Sequence, residues 1–393
     1  MTPAPRAPAA GGRCAILVDM GTTNTRAWLV RGDEVLAHER RSVGVRDASR
    51  TGSAAPIEAA LREVIAALQA QAPSNCDIEC VAAAGMIGSA LGLAEVAHVA
   101  APAGVAELAA AARWIEASAV TKLPFLIVPG VRSTIPPSEA TESRADRDAA
   151  RNVSTCDNDV MRGEETLCLG LALSGRVQAP CAVLNLGSHW KAIQLDESGR
   201  IAGSFTTLSG EMMHACRTQT VLSRSVKEEM PPEVETAPGR GRPGSNSSTS
   251  SFDAGWLEAG MREQRRSGLA RALFCVRLLD LGREGSAEER LASLVGAFIA
   301  ADLDAFLACG LLNPNTRAAI TGSAALAAAW RSALAPESIS AEIISPEDAE
   351  AAWRRGIGAI LARALARADA GDPRASRPRP HKQNNVRPSG AAR

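Results

Sequence analysis

Val18-Asp19-Met20-Gly21-Thr22-Thr23-Asn24-Thr25-Arg26 is the stretch whose reading decides the fold. The apolar run Cys14 to Val18 enters it as a strand, and Ala27 to Val30 leaves it as the hairpin partner. Arg31-Gly32-Asp33-Glu34 then reads as a turn into a third strand from Val35. The hairpin tip carries a carboxylate at the end of a strand, then a glycine, then hydroxyl and amide side chains. Gly21 would let the backbone approach an anion, while N–H groups and the hydroxyls of Thr22 and Thr23 donate to its oxygens. Such a tip suits a phosphate, with Asp19 placed to hold Mg2+ through water and Arg26 adding charge. A Walker-type loop is excluded, because the Gly-Lys-Ser/Thr ending is missing and a strand follows rather than a helix. An ordinary hairpin with a polar turn is the competing reading.

The pattern occurs twice. Laying Asp19 on Asn185 brings Gly21 onto Gly187 and Thr22 onto Ser188, and both copies run strand, Gly plus hydroxyl residue, strand, acidic turn. The second copy, Asn185-Leu186-Gly187-Ser188-His189-Trp190-Lys191, offers Lys191 as a charge for a β- or γ-phosphate. Ile320-Thr321-Gly322-Ser323-Ala324 ends a strand and opens a helix through Trp330, which allows close backbone approach by an adenosine at Gly322. Asp159-Val160-Met161-Arg162-Gly163-Glu164-Glu165-Thr166 gathers three carboxylates and an arginine around a glycine. A carboxylate can orient and deprotonate a hydroxyl, and an arginine can clamp a carboxylate with two bonds. A solvated, charged helix start would look the same. Ala84 to Ser89 (with Gly85, Met86 and Ser89) and Thr206 to Glu211 are small, polar loops after strands, equally fit to line a sugar pocket or to turn the chain.

Composition bounds the rest. The 393 residues, 46% apolar and 22% charged, can bury more than one core, so two α/β units are expected. Lys plus Arg and Asp plus Glu each number 43, which leaves no field to steer nucleic acid or an acidic membrane surface. No uninterrupted apolar run reaches the roughly 20 residues of a membrane span, and residues 1–12 lack the apolar core of a signal peptide, so a cytoplasmic location is expected. Nine scattered cysteines without a CxxC read as reduced, mostly buried thiols. Tyrosine is absent, which leaves backbone and aliphatic groups for an adenine. The leader 1–12, the segment 231–251 and the tail from Gly371 are too polar or too rich in Pro and Gly to pack, and 133–157 reads as an inserted loop. Pro56 to Ala70, Gly268 to Leu279 and Ala287 to Leu307 read as helices, and Ser345 with Pro346 opens a last one. The boundary between lobes is expected near residue 175, with the last helix packing back on the first lobe. Leu291, Val295 and Phe298 fit a core or an interface, so a homodimer is left open.

Taken in order, VDMGTTNTRAWL, AAGMIGS, VPGVR, DVMRGEET, LGSHWK, FTTLSGE, SGLARALFCVR and ITGSAAL resemble the 2-dehydro-3-deoxygalactonokinase family over most of residues 14–366. The resemblance implies two ribonuclease-H-like lobes of the actin-like ATPase fold, with the active site in the cleft between them. It implies ATP-dependent phosphorylation of 2-dehydro-3-deoxy-D-galactonate at the 6-hydroxyl. On that basis ATP and Mg2+ are expected at Asp19, Gly21, Thr22, Thr23, Arg26, Gly187, Ser188 and Lys191, with adenosine near Gly322. Asp159 is the first candidate for the base and Glu164 the second, with Glu165 open. Arg162 is the candidate for the sugar-acid carboxylate, and Gly85, Met86, Ser89 and Glu211 for the sugar. The chain departs from the family in Gly187-Ser188-His189-Trp190-Lys191-Ala192, where Gly-Thr-His-Ser-Lys-Trp is usual, at Ala90 and Leu93 where Asn and Trp are usual, and at Gln219-Thr220 where His-Ser is usual. These departures keep open a related sugar acid as substrate, and a non-catalytic sensor or a phosphatase on the same fold.

Overall fold

The computed structural model describes residues 13–134, 158–227, 251–372 and 377. The leader, the tail beyond 372 but for Arg377, and nearly all of the segments expected at 133–157 and 231–251 lie outside the described residues. Ser133 and Thr134 correct the first of those boundaries, because they are paired in a strand.

The chain divides into two compact units, one of residues 1–99, 105–130 and 354–393, the other of 100–104 and 131–353. The first unit starts with the hairpin read from the sequence: β1 (Arg13–Met20), β2 (Thr25–Arg31) and β3 (Glu34–Arg41) run antiparallel. Helices α1 (Val45–Thr51) and α2 (Ala55–Ala70) follow, and β4 (Asp77–Gly85) returns parallel to β1. The short strand β5 (Val99–Ala100) carries the chain out of this unit, and α3 (Val105–Ala111), β6 (Arg113–Ile115) and β7 (Phe125–Ile127) complete it. The sheet order is β3-β2-β1-β4-β7-β6. A strand buried on both faces carries a continuous apolar run, as Ile16, Leu17 and Val18 do here. Pro56 opens the first turn of α2, and its buried stripe of Ile57, Leu61, Val64, Ile65 and Leu68 packs on that sheet.

The second unit repeats the plan. After β8 (Val131–Thr134), β9 (Asn158–Met161) and α4 (Glu164–Leu173), β10 (Cys181–Leu186), β11 (Trp190–Leu195) and β12 (Ile201–Thr207) run antiparallel into α5 (Ser209–Gln219). Helices α6 (Ala254–Ser267), α7 (Leu269–Leu281) and α8 (Ala287–Ala308) precede β13 (Arg317–Gly322), α9 (Ala324–Leu334), β14 (Ser340–Ile343) and α10 (Pro346–Asp369). Its sheet order, β12-β11-β10-β13-β14, matches the first five strands of the first unit in order and direction. That shared plan is the ribonuclease-H-like one. The core of this unit centres on α8, with Trp190 edge-on to Trp330 at 5.6 Å and Phe306 stacked on Trp330 at 5.9 Å. By length and composition α8 could cross a membrane, but 72% of that apolar window is buried inside the protein. Leu291, Val295 and Phe298 are core residues.

Two further expectations are corrected. The division falls at Gly130 rather than near 175, because β8 and β9 are tied to β12 by hydrogen bonds from Ser204 and Thr206. It falls again inside α10, where Arg354 lies over the Trp28 ring at 5.8 Å and Arg355 pairs with Asp33 at 3.0 Å in the first unit. Ser345 caps α10 as read, its hydroxyl accepting from the Asp348 N–H at 3.0 Å. The thiols are not all reduced: Cys14, on β1, and Cys76, just before β4, form a disulfide, whereas the six other cysteines among the described residues are free.

Candidate active site

At the first hairpin tip, Asp19 and Arg26 stand opposite each other in the β1–β2 ladder. Arg26 Nη2 donates to Asp19 Oδ2 at 2.5 Å and Nε at 3.2 Å, so the carboxylate is held by a fork. Gly21 departs from expectation, since its N–H closes the turn on the Asn24 carbonyl at 2.8 Å instead of facing outward. Thr22 is half-buried and Thr23 exposed, so the hydroxyl-bearing part of the tip stays accessible. Beneath the tip, the start of α1 docks on the turn, with Val45 and Arg46 N–H groups donating to the Gly21 and Thr22 carbonyls. Gly44 permits this approach: a Cβ there would lie 2.5 Å from the Thr22 carbonyl oxygen. Gly85, at the end of β4 with φ of +88°, is pressed against Met20 in the same way.

The second hairpin copies these contacts. Glu211 N–H, in the first turn of α5, donates to the Ser188 carbonyl at 2.7 Å, and a Cβ on Gly210 would lie 2.2 Å from the Gly187 oxygen. Gly322, with φ of +141°, ends β13 against Leu186 as Gly85 ends β4 against Met20. The duplication read from Asp19 and Asn185 therefore extends to two close-packed glycines in each unit.

The two hairpins differ in their charges. Lys191 holds the ladder position opposite Asn185, yet its ammonium group is buried and bonds to Glu164 Oε1 at 3.1 Å and the Val160 carbonyl at 3.2 Å. It ties down the β9–α4 turn, which corrects its expected place on a phosphate. Asn185 instead accepts from Thr321 Oγ1 at 2.9 Å.

The segment Asp159 to Thr166 runs from β9 through a tight turn at Gly163 into α4. Its three carboxylates have three different environments. Asp159, half-buried, accepts through Oδ2 from the hydroxyls of Ser204 and Thr206, the latter at 2.9 Å. Ser204 is itself fixed by Ser133, Oγ to Oγ at 3.0 Å. Glu164 pairs with Lys191, while its Oε2 is buried with no hydrogen-bond partner among the described residues. Glu165 is fully buried and folds back to accept the Gly163 N–H at 2.7 and 2.9 Å. Burial above all, and then neighbouring Glu164, pushes its carboxyl up to about 8, so it is mainly neutral at pH 7. Arg162 is half-buried in the turn between them.

Of the residues expected on a sugar, Gly85 is structural as described, and Ser89 Oγ donates to the Met86 carbonyl at 2.7 Å within its own turn. Glu211 is exposed beside His189, Oε2 to Nε2 at 3.4 Å. The sequence reading did not single out Ser133, Ser204 or Asp302. Ser204 and Thr206 could have been found by their spacing, since residues two apart on a strand share a face. For Mg2+, the first tip supplies hard oxygen donors around a single carboxylate, Asp19, and the described residues hold no group of three or more metal-ligating side chains. That donor set fits an ion carried mainly by phosphate and water, with Asp19 as its protein ligand.

The duplicated ribonuclease-H-like fold, with a Gly-containing hairpin opening the main sheet of each unit, is that of the actin-like ATPase class. The relatives agree. A Rhizobium meliloti (strain 1021) protein named probable 2-dehydro-3-deoxygalactonokinase DgoK1 is 28% identical over 352 residues, 88% of this chain and 96% of the relative. The Escherichia coli (strain K12) 2-dehydro-3-deoxygalactonokinase is 30% identical over 298 residues, 74% of this chain and 80% of the relative. A Sinorhizobium meliloti crystal structure, provisionally described as a 2-dehydro-3-deoxygalactonokinase, superposes with a TM-score of 0.63 at 25% identity, covering 91% of this chain and 99% of that one. The chain belongs to the 2-keto-3-deoxy-galactonokinase family, whose model matches residues 19–360.

Proposed function

We propose that this protein transfers the γ-phosphoryl group of ATP to the 6-hydroxyl of 2-dehydro-3-deoxy-D-galactonate, as a cytoplasmic enzyme of sugar-acid catabolism. Family membership supports the reaction class, and the observation that carries the residue assignment is the hydroxyl cradle around Asp159. With Oδ2 fixed by Ser204 and Thr206, the carboxylate keeps one orientation while it takes a proton. The acceptor oxygen forms a bond to the γ-phosphorus, the bond from that phosphorus to the ADP oxygen breaks, and the acceptor proton passes to Asp159. Phosphoryl transfer asks mainly for in-line positioning and charge neutralisation, so one orienting carboxylate suffices on the acceptor side. Glu165 is a poor base because it is buried, neutral and engaged with Gly163. Glu164 is committed through Oε1 to Lys191, while the unpartnered Oε2 suits a substrate hydroxyl donor. Within the second unit, Arg162 is assigned to the sugar-acid carboxylate, Ser188 and the Gly187 turn to phosphate oxygens and Gly322 to adenosine; within the first, Thr22 and Thr23 are assigned to phosphate oxygens. Magnesium, when bound at Asp19, would supply charge neutralisation on those phosphates.

The test is ADP release by the purified protein with 2-dehydro-3-deoxygalactonate and a panel of related sugar acids, for the native chain and Asp159→Asn. Saturating turnover should fall by about 100-fold or more in the variant. Near-normal turnover by a folded Asp159→Asn protein would remove Asp159 from the role. Ala90 and Leu93, which replace the family's Asn and Trp, favour a second reading, a kinase for a different keto-deoxy or aldonic acid. Preference for another acid in the same panel would establish it.

A further inference from the structure

Asp302 sits on α8, the apolar core helix, and is 5% exposed. An apolar residue would serve packing there, and burying a carboxylate is costly unless something holds it. Its partners among the described residues are two hydroxyls: Thr207 Oγ1 donates to Oδ2 at 2.6 Å and Ser209 Oγ to Oδ1 at 2.7 Å. No charged side chain of α5, α6, α7 or α9 pairs with it among the described residues. Both donors lie at the corner where β12 passes into α5. On one pleat face of β12, Ser204 and Thr206 hold Asp159, and at its end Thr207 and Ser209 reach Asp302. Beyond the corner, Gly210 and Glu211 carry the second hairpin turn through the Ser188 carbonyl. The first unit fixes its equivalent corner locally, with Asp47 of α1 accepting from the Gly44 N–H at 3.0 Å. The second unit uses a carboxylate distant in sequence.

We propose that Asp302 is a positioning residue, whose carboxylate locks the β12–α5 corner and thereby sets both the Asp159 cradle and the Gly187–His189 turn. As regards catalysis this rests on the kinase reading above. Burial raises the Asp302 carboxyl to about 6, against the two hydroxyl bonds that favour its ionised form. Protonation replaces an acceptor with a donor and loosens one of those bonds, so Asp302→Asn imitates the protonated protein.

The test compares the full-length chain with Asp302→Asn and with Thr207→Val/Ser209→Ala, which removes the same bonds from the other side. Amide hydrogen exchange of residues 204–212 and steady-state kinetics with ATP and the sugar acid are measured on each. The expected result is folded variants with about tenfold faster exchange at the corner and kcat lowered about tenfold or more. KM for ATP should rise by about threefold or more, because the Gly187–His189 turn is loosened with the corner. Native kcat should decline as the pH drops below about 6, and Asp302→Asn should lack that limb. Unchanged exchange in both variants, or faster exchange with native kcat and an unaltered acid limb, overturns the proposal. If Asp302→Asn does not fold, the double variant decides by the same readings. A native protein inert towards every sugar acid would end the substrate reading, while the exchange data would still decide the anchoring role of Asp302.

Discussion

Arg26 grips Asp19 across the first hairpin, Nη2 to Oδ2 at 2.5 Å, at the ladder position where the second hairpin sets Lys191 opposite Asn185. Asp19 is mostly buried and Arg26 nearly half-exposed, with side-chain exposures of 15% and 46%. With its arginine end in solvent, the pair contributes modestly to folding, about 1 kcal/mol. Arg26→Ala should therefore lower the urea midpoint only slightly. Asp19→Ala should lower kcat by about 100-fold and raise the magnesium concentration needed for half-maximal rate, with the folded fraction preserved. Equal losses of activity and folded protein would assign Asp19 to the scaffold instead.

Gly85 and Gly322 close the fourth strand of each unit in backbone conformations that side chains resist, and each is pressed against the preceding hairpin strand. A Cβ at position 85 would lie 2.5 Å from the Met20 carbonyl oxygen, which cannot move without disturbing Asp19 beside it. At 322 the nearest atom is the Leu186 Cβ at 2.9 Å. Both Gly→Ala changes should destabilise, by roughly 1–3 kcal/mol from backbone strain alone, and Gly85→Ala more, because its obstacle is backbone. Urea unfolding of the two variants measures the order.

The hairpins, the long helices and the duplication were legible in the sequence because each depends on local periodicity or on a short repeated pattern. Lys191 misled because a lysine just past a Gly-Ser hairpin tip reads as a charge for phosphate, while its burial depends on Val160 and Glu164, 31 and 27 residues earlier in the chain. Asp302 was invisible for the same reason: Thr207 and Ser209 lie more than 90 residues before it, and one acid within an apolar helix carries no pattern. The unit boundary was missed because the hydrogen bonds that join β8 and β9 to β12 are non-local. Gly21 was read as an open phosphate contact, although a turn must also spend one of its own N–H groups to close.

The Cys14–Cys76 disulfide links the start of β1 to the residue before β4, across a separation of 62 residues. Closing a loop of that length restricts the unfolded chain by about 4 kcal/mol on the chain-entropy account. Cys76→Ser should lower the melting temperature of oxidised protein and make little difference once a strong thiol reductant is present. Peptide mapping without reduction should find the two cysteines linked. A variant as stable as the native chain under oxidising conditions would show that the bond contributes nothing to stability.

Glu165 makes stability depend on pH in a direction opposite to that of a salt-bridged acid. Its carboxyl titrates near 8 in the folded protein and near 4.5 in the unfolded chain, because burial favours the neutral form. The folded state therefore holds a proton that the unfolded chain has released. Its contribution is complete below about 4.5 and is lost as the pH rises through about 8. Glu165→Gln keeps a neutral side chain that still accepts from the Gly163 N–H, so this part of the pH dependence should vanish. The expected difference between native and variant slopes, integrated from pH 5 to pH 8, is on the order of 3–4 kcal/mol by urea unfolding. Turnover of Glu165→Gln at pH 7 should stay within about threefold of native, since a neutral, buried group takes no proton from an acceptor. A folded Glu165→Gln protein without turnover would transfer the role of base from Asp159 to Glu165.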